Sequence, residues 1–483
     1  MAHGLTFGAA PLNGSPSRWL DETASRVPDT PALITPAGAA VDYRSFASAV
    51  QGLAAELLRS GTDPGQALGA HALRPVETAM LSQAAARLGC PIVPGDPLRP
   101  DHWRVALWLA AGVDRAIEAD ADLFDAAAAT EAGELPEDRI DAESVLLIVG
   151  TSGSGGEPKG AMLTARNIAA AVQASRARLG LHVGDRWLLC LPPHQVGALA
   201  VLYRCVEAGA TAVLRDGFDP ERTWWDIVRL GITHVSLLPG MLAELLDAAA
   251  GVPAPPTLQR VVVGGLAIPP ALAERTLRAG WPVCPSYGVT EAMAQIATAL
   301  PEERAPAGCV GRPLAGFEVQ VVDGHGRPTW GVGRIRVKGP AVMAGYADPE
   351  RRGGYGLDEG WLMTGDLGRL DGGGRLWVER RADDVLVTGG ENVHPRQVEE
   401  MLRGCPAIGE VAVAGRPDPA RGAALVAVYT GDAPADAVEA WGRRHLPEAL
   451  RPNAYHHVGS LPFARSGLID RELLRMLAAG PAS

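Results

Sequence analysis

The sequence contains almost no lysine. Of its 44 lysine and arginine residues only Lys159 and Lys338 are lysines, so arginine carries nearly all of the positive charge. Because arginine has replaced lysine almost everywhere, a lysine that is retained indicates function more strongly here than in an ordinary chain. One of the two, Lys159, stands at the end of a glycine-rich segment.

Other features are also scarce or absent, and each excludes a class of protein. The 55 acidic residues give a net charge of −11 and a pI near 5.5, which argues against a nucleic-acid partner. The six cysteines form no Cys-x-x-Cys pair, so we expect free thiols in a reducing compartment. A basic start followed by an apolar segment is missing, and no apolar run approaches the length of a membrane span. These absences predict a cytoplasmic protein without a membrane span.

The order of strand-like and helix-like segments predicts the fold class. With 483 residues the chain exceeds one ordinary hydrophobic core, so we expect at least two domains. Before Pro301, short apolar strands alternate with amphipathic helices, which is typical of doubly wound, mostly parallel α/β sheets. Beyond Pro301, alternating β segments punctuated by glycine predict a small distorted barrel. The last part of the chain predicts a small α+β unit.

A loop rich in glycine and hydroxyl groups follows the apolar strand Val145–Val149. Its hydroxyls, backbone amides and single cation suit a polyphosphate. The candidate residues are Thr151, Ser152, Gly153, Ser154, Gly156 and Lys159. A Walker-type P-loop is excluded, because Pro158 precedes the lysine and Gly160 stands where a metal-binding hydroxyl is required. The remaining alternative is a flexible linker, which the preceding buried strand disfavours.

A second motif, Tyr287-Gly288-Val289-Thr290-Glu291, also follows an apolar strand. An aromatic ring can stack on adenine, and the glycine removes bulk beside that ring. A hydroxyl can reach the α-phosphate, and a carboxylate can hold Mg²⁺ through the phosphates. We therefore regard this motif as a candidate nucleotide contact, with a chance turn as the alternative.

These motifs resemble those of the adenylate-forming superfamily of acyl-CoA ligases, peptide-synthetase adenylation domains and luciferases. Segments 361–368 and 381–395 resemble two further motifs, and all four occur in the expected order. Gly155 departs from the pattern, which usually has threonine there. The resemblance implies an AMP-forming acid–CoA ligase that uses ATP, Mg²⁺ and coenzyme A. It also implies a large N-terminal domain over residues 1–382 and a mobile lid over residues 383–483.

The same resemblance assigns roles to individual residues. Tyr287 and Gly288 would hold the base, and Thr290 with Glu291 would hold the α-phosphate and the metal. The ribose is assigned to Asp366 and Arg381. In the lid, the hinge is Asp383, and Gly389 with Gly390 borders the thiol tunnel. The expected catalytic residues are Lys159, His194, Thr290 and Glu291.

The acid substrate is expected near segment 192–197. His194 follows a predicted strand, a place where side chains face a cleft, although a lone histidine is more often structural. This segment and its continuation through Arg204 resemble the o-succinylbenzoate–CoA ligases of menaquinone biosynthesis, with Pro193 where the superfamily usually has Phe. Arg204 either pairs with a substrate carboxylate or forms a surface salt bridge. The acid-site candidates are His194, Arg204, Gly265, Ser286 and Gly288.

One position disagrees with the resemblance. Segment 461–473 matches a terminal motif, but Leu468 occupies the position of the lysine that assists adenylation. Loss of one such preorganised group could lower the adenylation rate by about 10²–10³-fold. Three interpretations stay open: slow adenylation, thioester formation without adenylation, and a non-catalytic binder of nucleotide or acyl-AMP. A benzoate-type acid is the alternative substrate, and a homodimer is left open.

Overall fold

The computed structural model describes residues 5–6, 14–97, 99, 101–119, 123–124, 140–152, 158–348, 353–381, 386–388, 391–393, 395–406, 408–418, 422–463 and 469–479. The chain divides into two compact units, Met1–Glu379 and Arg380–Ser483. The boundary predicted after Ala382 falls on residues outside the described ranges and stays a prediction.

The first unit contains helices and strands that alternate over most of its length. Its helices are α1 (Trp19–Arg26), α2 (Tyr43–Arg59), α3 (Pro75–Leu88), α4 (Asp101–Ala111), α5 (Ala165–Leu179), α6 (Val196–Ala208), α7 (Pro220–Arg229), α8 (Pro239–Ala248) and α9 (Pro270–Arg278). Its strands are β1 (Leu5–Thr6), β2 (Pro31–Ile34), β3 (Ala40–Asp42), β4 (Ala67–His71), β5 (Ile92–Gly95), β6 (Val113–Glu118), β7 (Val145–Ser152), β8 (Pro158–Thr164), β9 (Arg186–Leu189), β10 (Thr211–Leu214), β11 (His234–Leu237), β12 (Arg260–Val263), β13 (Val283–Tyr287), β14 (Ala297–Thr298), β15 (Arg312–Pro313), β16 (Glu318–Val322), β17 (Gly333–Lys338), β18 (Gly345–Tyr346), β19 (Leu362–Leu370) and β20 (Leu376–Arg381).

The largest sheet has the strand order β15-β14-β13-β12-β11-β9-β10-β2-β3. Strands β2 and β9 to β13 run parallel, and β10 and β11 are buried along their whole length. Parallel strands are apolar on both faces because helices cover both sides of the sheet. Their carboxyl ends lie at one edge, which is where ligands bind in open α/β sheets. His194, Gly265 and Tyr287 all lie at or just beyond this edge.

A second sheet carries the glycine-rich loop and has the order β18-β8-β7-β5-β4-β6. Strands β4 to β7 run parallel, whereas β8 is antiparallel to β7 and β18 is antiparallel to β8. The β7–β8 hairpin places Thr151 opposite Lys159. The two ends of the predicted phosphate loop are therefore fixed by strand pairing.

The region predicted as a small barrel forms a third sheet, with the order β1-β16-β17-β19-β20. Its paired strands are antiparallel where their pairing is resolved. Along β17, Ile335 and Val337 are buried while Arg334 and Lys338 are exposed, as expected for a sheet with one face against the core. Asp366 is an inward-facing residue of β19.

The second unit is a smaller α+β body. Its strands are β21 (Leu386–Thr388), β22 (Glu391–Val393), β23 (Val411–Asp418), β24 (Gly422–Tyr429) and β25 (Ala454–His457), and its helices are α10 (Pro395–Leu402), α11 (Ala435–His445) and α12 (Arg471–Ala479). The strands follow the order β22-β21-β24-β23, with β25 parallel to β24. The predicted α/β fold class with a small α+β C-terminal unit is confirmed. Among the described residues, no helix combines the length and the apolar character that a membrane crossing requires.

Candidate active site

Thr151 and Lys159, which lie on either side of the predicted phosphate loop, are opposite each other in the β7–β8 hairpin. Thr151 is the next-to-last residue of β7, and Lys159 lies across from it as the second residue of β8. The lysine side chain is exposed, and its Nζ lies 5.2 Å from the ring centroid of Tyr346. An ammonium at this distance from an aromatic face is attracted by the ring quadrupole. Lys159 is therefore an exposed cation where the described chain resumes after the loop, and its contact with phosphate stays a prediction.

Tyr287 and Asp366 were assigned to the base and to the ribose, and the structure brings them into contact. The Tyr287 hydroxyl donates to Asp366 Oδ2 at 2.8 Å, although the two residues lie on different sheets. Both are buried, at 7% and 8% exposure. The backbone N–H of Asp366 also faces the Thr364 hydroxyl at 3.3 Å. A carboxylate held in this way is oriented before a ligand arrives.

Gly288 is required by the path of the chain after Tyr287. Met293 and Ala294 both have left-handed backbone conformations, with φ of 49° and 75°, and they turn the chain back towards the motif. A Cβ on Gly288 would lie 1.9 Å from the carbonyl oxygen of Ala294. Real Cβ atoms never approach backbone oxygen this closely. The glycine therefore permits a close backbone approach beside the tyrosine.

Thr290 and Glu291 form a single 3₁₀ turn directly after Gly288 and Val289. The Tyr346 hydroxyl donates to Glu291 Oε1 at 2.7 Å, and the backbone carbonyl of Glu291 accepts from Met343 N–H. Within the described part of the chain, the Glu291 carboxylate makes no other hydrogen bond.

Glu291 fits the expected magnesium ion. Mg²⁺ is usually held by one or two carboxylates together with substrate phosphates and waters. No group of three or more His, Cys, Asp or Glu side chains clusters in the described residues, so phosphates would have to supply further ligands. The half-exposed Glu291 carboxylate, one oxygen of which is unoccupied by described residues, suits that arrangement.

The predicted acid region contains a small polar cluster. His194 Nε2 lies 3.3 Å from Asp96 Oδ1, which joins the loop after β9 to the loop after β5. Burial lowers the pKa of His194, and His71 acts in the same direction while Asp96 opposes it. A lowered pKa keeps the imidazole neutral near pH 7. Asp96 and His71 carry no motif of their own, so sequence reasoning missed both.

The remaining acid-site candidates surround the ends of β12 and β13. Gly265 has φ of 77°, and a Cβ there would lie 2.9 Å from the Leu238 side chain. The Ser286 hydroxyl lies 2.9 Å from the Thr298 hydroxyl. Both residues are at the carboxyl edge of the large sheet, on the same side as His194.

Arg204 lies inside the molecule, so the predicted surface salt bridge is wrong. The residue is 4% exposed, its guanidinium carbon lies 5.5 Å from the Trp187 ring centroid, and burial lowers its pKa to about 10. Its Nε and Nη2 atoms have no hydrogen-bond partner among the described residues. The residue belongs to α6, which starts two residues after His194 and runs back along the sheet. Arg204 is buried because almost all of α6 is buried. The sequence alone did not distinguish this from a helix with one face exposed to solvent.

Several predicted site residues lie outside the described residues. They are Gly153, Ser154 and Gly156 of the phosphate loop, Asp383, Gly389 and Gly390 of the predicted lid, and Leu468. The side chains of Ser152 and Arg381 are outside the described part as well. Their assigned roles stay predictions.

Tyr346 is a further functional candidate that sequence reasoning missed. It contacts both Lys159 and Glu291, two residues from different motifs. Its sequence signal is only an aromatic residue after a glycine, which does not distinguish it from an ordinary loop residue. The pairing of β18 with β8 is what brings it to the site.

Comparison with known proteins adds independent support. A family model described as AMP-binding enzyme matches residues 20–347, and one described as AMP-binding enzyme C-terminal domain matches residues 397–468. The 2-succinylbenzoate–CoA ligase of Bacillus pumilus is 34% identical over 344 residues, which are 70% of each chain. The ligase of the same name from Bacillus subtilis is 36% identical over 282 residues, 58% of this chain and 57% of the other.

Solved structures agree with these relatives. The o-succinylbenzoate CoA synthetase MenE from Bacillus subtilis, in complex with the acyl-adenylate intermediate OSB-AMP, matches with a TM-score of 0.84 and 28% identity, covering 95% of this chain and 98% of the other. The same synthetase in complex with ATP and a magnesium ion matches with a TM-score of 0.83 and 28% identity, covering 95% and 99%. The resemblance predicted from the motifs is confirmed, and the chain belongs to the AMP-binding enzyme family.

Proposed function

We propose that this protein joins 2-succinylbenzoate to coenzyme A in two steps, with ATP and Mg²⁺. Family membership and the named relatives bear out the predicted enzyme class, an AMP-forming acid–thiol ligase. The observation that best supports the site is the convergence of Lys159, Glu291, Tyr287 and Asp366 at neighbouring sheet ends. These are the side chains that the motifs assign to phosphate, metal, base and ribose.

In the first step, a carboxylate oxygen of the acid attacks the α-phosphorus of ATP, forming acyl-AMP and releasing pyrophosphate. Lys159 would neutralise the phosphates, and Thr290 would donate a hydrogen bond to the α-phosphate. Glu291 would hold Mg²⁺, which offsets phosphate charge when bound. In the second step, the thiol of CoA loses its proton to solvent as its sulfur attacks the acyl carbon, and AMP leaves with the electron pair of the broken C–O bond as the thioester forms.

Arg204 supports an acid substrate that carries a second negative charge. A buried arginine without a counterion is unfavourable, because taking its charge out of water is not compensated. The orphaned Nε and Nη2 atoms of Arg204 are therefore suited to an anion supplied by a ligand. 2-Succinylbenzoate offers one: its succinyl carboxylate is activated, while its aromatic carboxylate is free to pair. A simple benzoate has only the carboxylate that reacts.

The selectivity between two matched acids tests this proposal. We expect the enzyme to favour 2-succinylbenzoate over 4-oxo-4-phenylbutanoate, which lacks only the aromatic carboxylate, by about tenfold or more in kcat/KM. Arg204→Met replaces the buried charge with an apolar chain of similar length. The variant should lose most of this preference, chiefly because its KM for 2-succinylbenzoate rises. Its melting temperature should not fall. Equal preference in the wild type and in Arg204→Met would exclude Arg204 from substrate recognition.

A nucleotide- or acyl-AMP-binding pseudoenzyme is the second candidate, and Leu468 is the residue that favours it. The lysine expected there would stabilise negative charge that develops during adenylation. We propose that the protein adenylates slowly for this reason rather than having lost the reaction. Restoring the lysine with Leu468→Lys should then raise the rate of pyrophosphate release. A pseudoenzyme would bind ATP and yet release no pyrophosphate in either form.

We place the reaction in the cytoplasm. All six cysteines are free and buried, which suits a reducing compartment. Burial also raises the pKa of Cys190 and Cys284 to about 12, so these thiols are unreactive near neutral pH. A homodimer stays a prediction.

A further inference from the structure

The geometry points to Tyr346 as a positioning residue that joins the phosphate-binding lysine to the magnesium-binding carboxylate. Its ring lies under the Lys159 ammonium, and its hydroxyl donates to Glu291. One side chain thus contacts the cation of the phosphate loop and the acidic residue of the nucleotide motif. This inference rests on the proposed function for the identity of the ligands, ATP and Mg²⁺.

Strand pairing fixes the backbone of Tyr346 next to the phosphate loop. In the β18–β8 pair Tyr346 is opposite Ala161, two residues after Lys159. Residues two apart on a strand share a face, so the tyrosine lies beside the lysine side chain. The N–H of Ala347 also donates to the carbonyl of Gly160 at 2.7 Å. The backbone of Tyr346 therefore cannot move away from Lys159 without breaking this short sheet.

A second set of contacts ties the same segment to the nucleotide motif and to α5. Met343 N–H donates to the Glu291 carbonyl at 2.8 Å. The Asn167 side chain, at the start of α5, donates to the carbonyls of Pro340 and Val342 at 2.8 and 2.7 Å. The segment that ends in Tyr346 is consequently held on both sides, and the hydroxyl of Tyr346 meets Glu291 at a defined position.

The ring of Tyr346 packs closely against the backbone at Gly356. A Cβ on Gly356 would lie 2.4 Å from Tyr346 Cδ2, so the glycine leaves room for the ring to pack directly against the backbone. The backbone N–H of Tyr346 donates to the carbonyl of Tyr355 at 2.8 Å. The ring thus has the Gly356 backbone beside its Cδ2 and Cε2 atoms and the Lys159 ammonium 5.2 Å from its centroid. Such a ring can hold the ammonium away from Glu291, so that the lysine stays available to phosphate and the carboxylate to the metal.

The hydroxyl and the ring of Tyr346 have different partners, so their contributions to nucleotide binding can be measured separately. The hydroxyl acts on Glu291, so its removal should weaken only the metal-dependent part of nucleotide binding. The ring acts on Lys159, so its removal should weaken nucleotide binding with or without metal. Tyr346→Phe removes the first contact and keeps the second, whereas Tyr346→Leu removes both. Tyr355→Phe is the matched control, because Tyr355 is 59% exposed and its hydrogen bond with Tyr346 is made by its backbone carbonyl.

Calorimetric titration of ATP into the full-length protein, with Mg²⁺ and then with a chelator, provides the test. We expect Tyr346→Phe to lose about fivefold in affinity with Mg²⁺ and to match the wild type without it. Tyr346→Leu should lose a further threefold or so in both conditions. Tyr355→Phe should behave as the wild type does.

Two results would overturn the inference. One is a Tyr346→Phe variant whose gain in affinity from Mg²⁺ equals that of Tyr355→Phe. The other is a loss of the same size with and without the metal, which would indicate a structural role alone. Neither result depends on turnover. Failure of the proposed function would instead be seen in the wild type, as ATP binding without pyrophosphate release for any acid.

Discussion

At the scale of single residues, two carboxylates of the proposed nucleotide site already have hydrogen-bond partners. Asp366 accepts from Tyr287, and Glu291 accepts from Tyr346. Groups held in place before the ligand binds lose little conformational freedom on binding, which favours both affinity and catalysis. Gly288 contributes in a different way, because its lack of a side chain lets the backbone close up beside Tyr287.

Gly288→Ala should be strongly destabilising. The added methyl group would lie 1.9 Å from the carbonyl of Ala294, a backbone atom that cannot rotate away. We expect a loss of at least about 3 kcal/mol in the free energy of unfolding, measured by urea denaturation. Gly240→Ala is the control, since nothing lies within 4 Å of the position of its Cβ and it belongs to helix α8. It should be neutral or slightly stabilising, and equal effects of the two changes would contradict this account.

The two lysines form a second matched pair. Lys159→Ala should weaken ATP binding by at least about tenfold, because it removes a charged contact to phosphate. Lys338→Ala should leave ATP affinity unchanged, because Lys338 donates to the carbonyl of Glu359 at 2.8 Å and lies near Trp361, on a different sheet. The measurement is calorimetric titration of ATP into each variant. Similar losses in both variants would remove Lys159 from the phosphate site.

At the scale of elements, the sequence predicts strands that a local residue pattern determines. It does not predict contacts that depend on pairing between strands far apart in the chain. The strand before the glycine-rich loop and the strand before Tyr287 are predictable, because both are apolar runs that end in glycine and hydroxyl residues. Tyr346 is not predictable, because its role depends on β18 reaching β8 from far along the chain. Arg204 on α6 is misjudged for a related reason, since burial of that helix face depends on the sheets around it.

The neighbouring strands β9 and β11 contain a buried histidine whose titration opposes folding at acid pH. His234 is fully buried, its ring lies 5.1 Å from that of Trp187, and burial lowers its pKa to about 4 although Asp185 opposes the shift. In the unfolded chain a histidine titrates near pH 6.5. Between pH 6.5 and 4 the unfolded state therefore binds more protons than the folded state, and stability falls as the pH falls.

His234→Phe should remove this part of the pH dependence. The phenyl ring can occupy the same space beside Trp187 but does not titrate. Both proteins should lose stability between pH 6.5 and 4. We expect this loss in the free energy of unfolding to be smaller in the variant than in the wild type by roughly 2–3 kcal/mol. Urea denaturation at several pH values measures the difference. Parallel curves for the two proteins would show that His234 does not titrate in this range.

At the scale of the whole molecule, the family pattern extends over both compact units. The matches to the AMP-binding enzyme and its C-terminal domain fall at residues 20–347 and 397–468. The sequence predicts this organisation because four motifs occur in the expected order. The rate of adenylation with Leu468 at the expected lysine position is not predictable from the sequence, because it depends on a transition state and not on a pattern of residues.

The most direct test of the central claim is acid-dependent release of pyrophosphate from ATP, measured with 2-succinylbenzoate and with a panel of benzoates, for the wild type and for Leu468→Lys. We predict release with 2-succinylbenzoate, formation of its CoA thioester, and a rate that rises by about 10²–10³-fold when the lysine is restored. ATP binding without pyrophosphate release by either protein, with every acid in the panel, would contradict the claim.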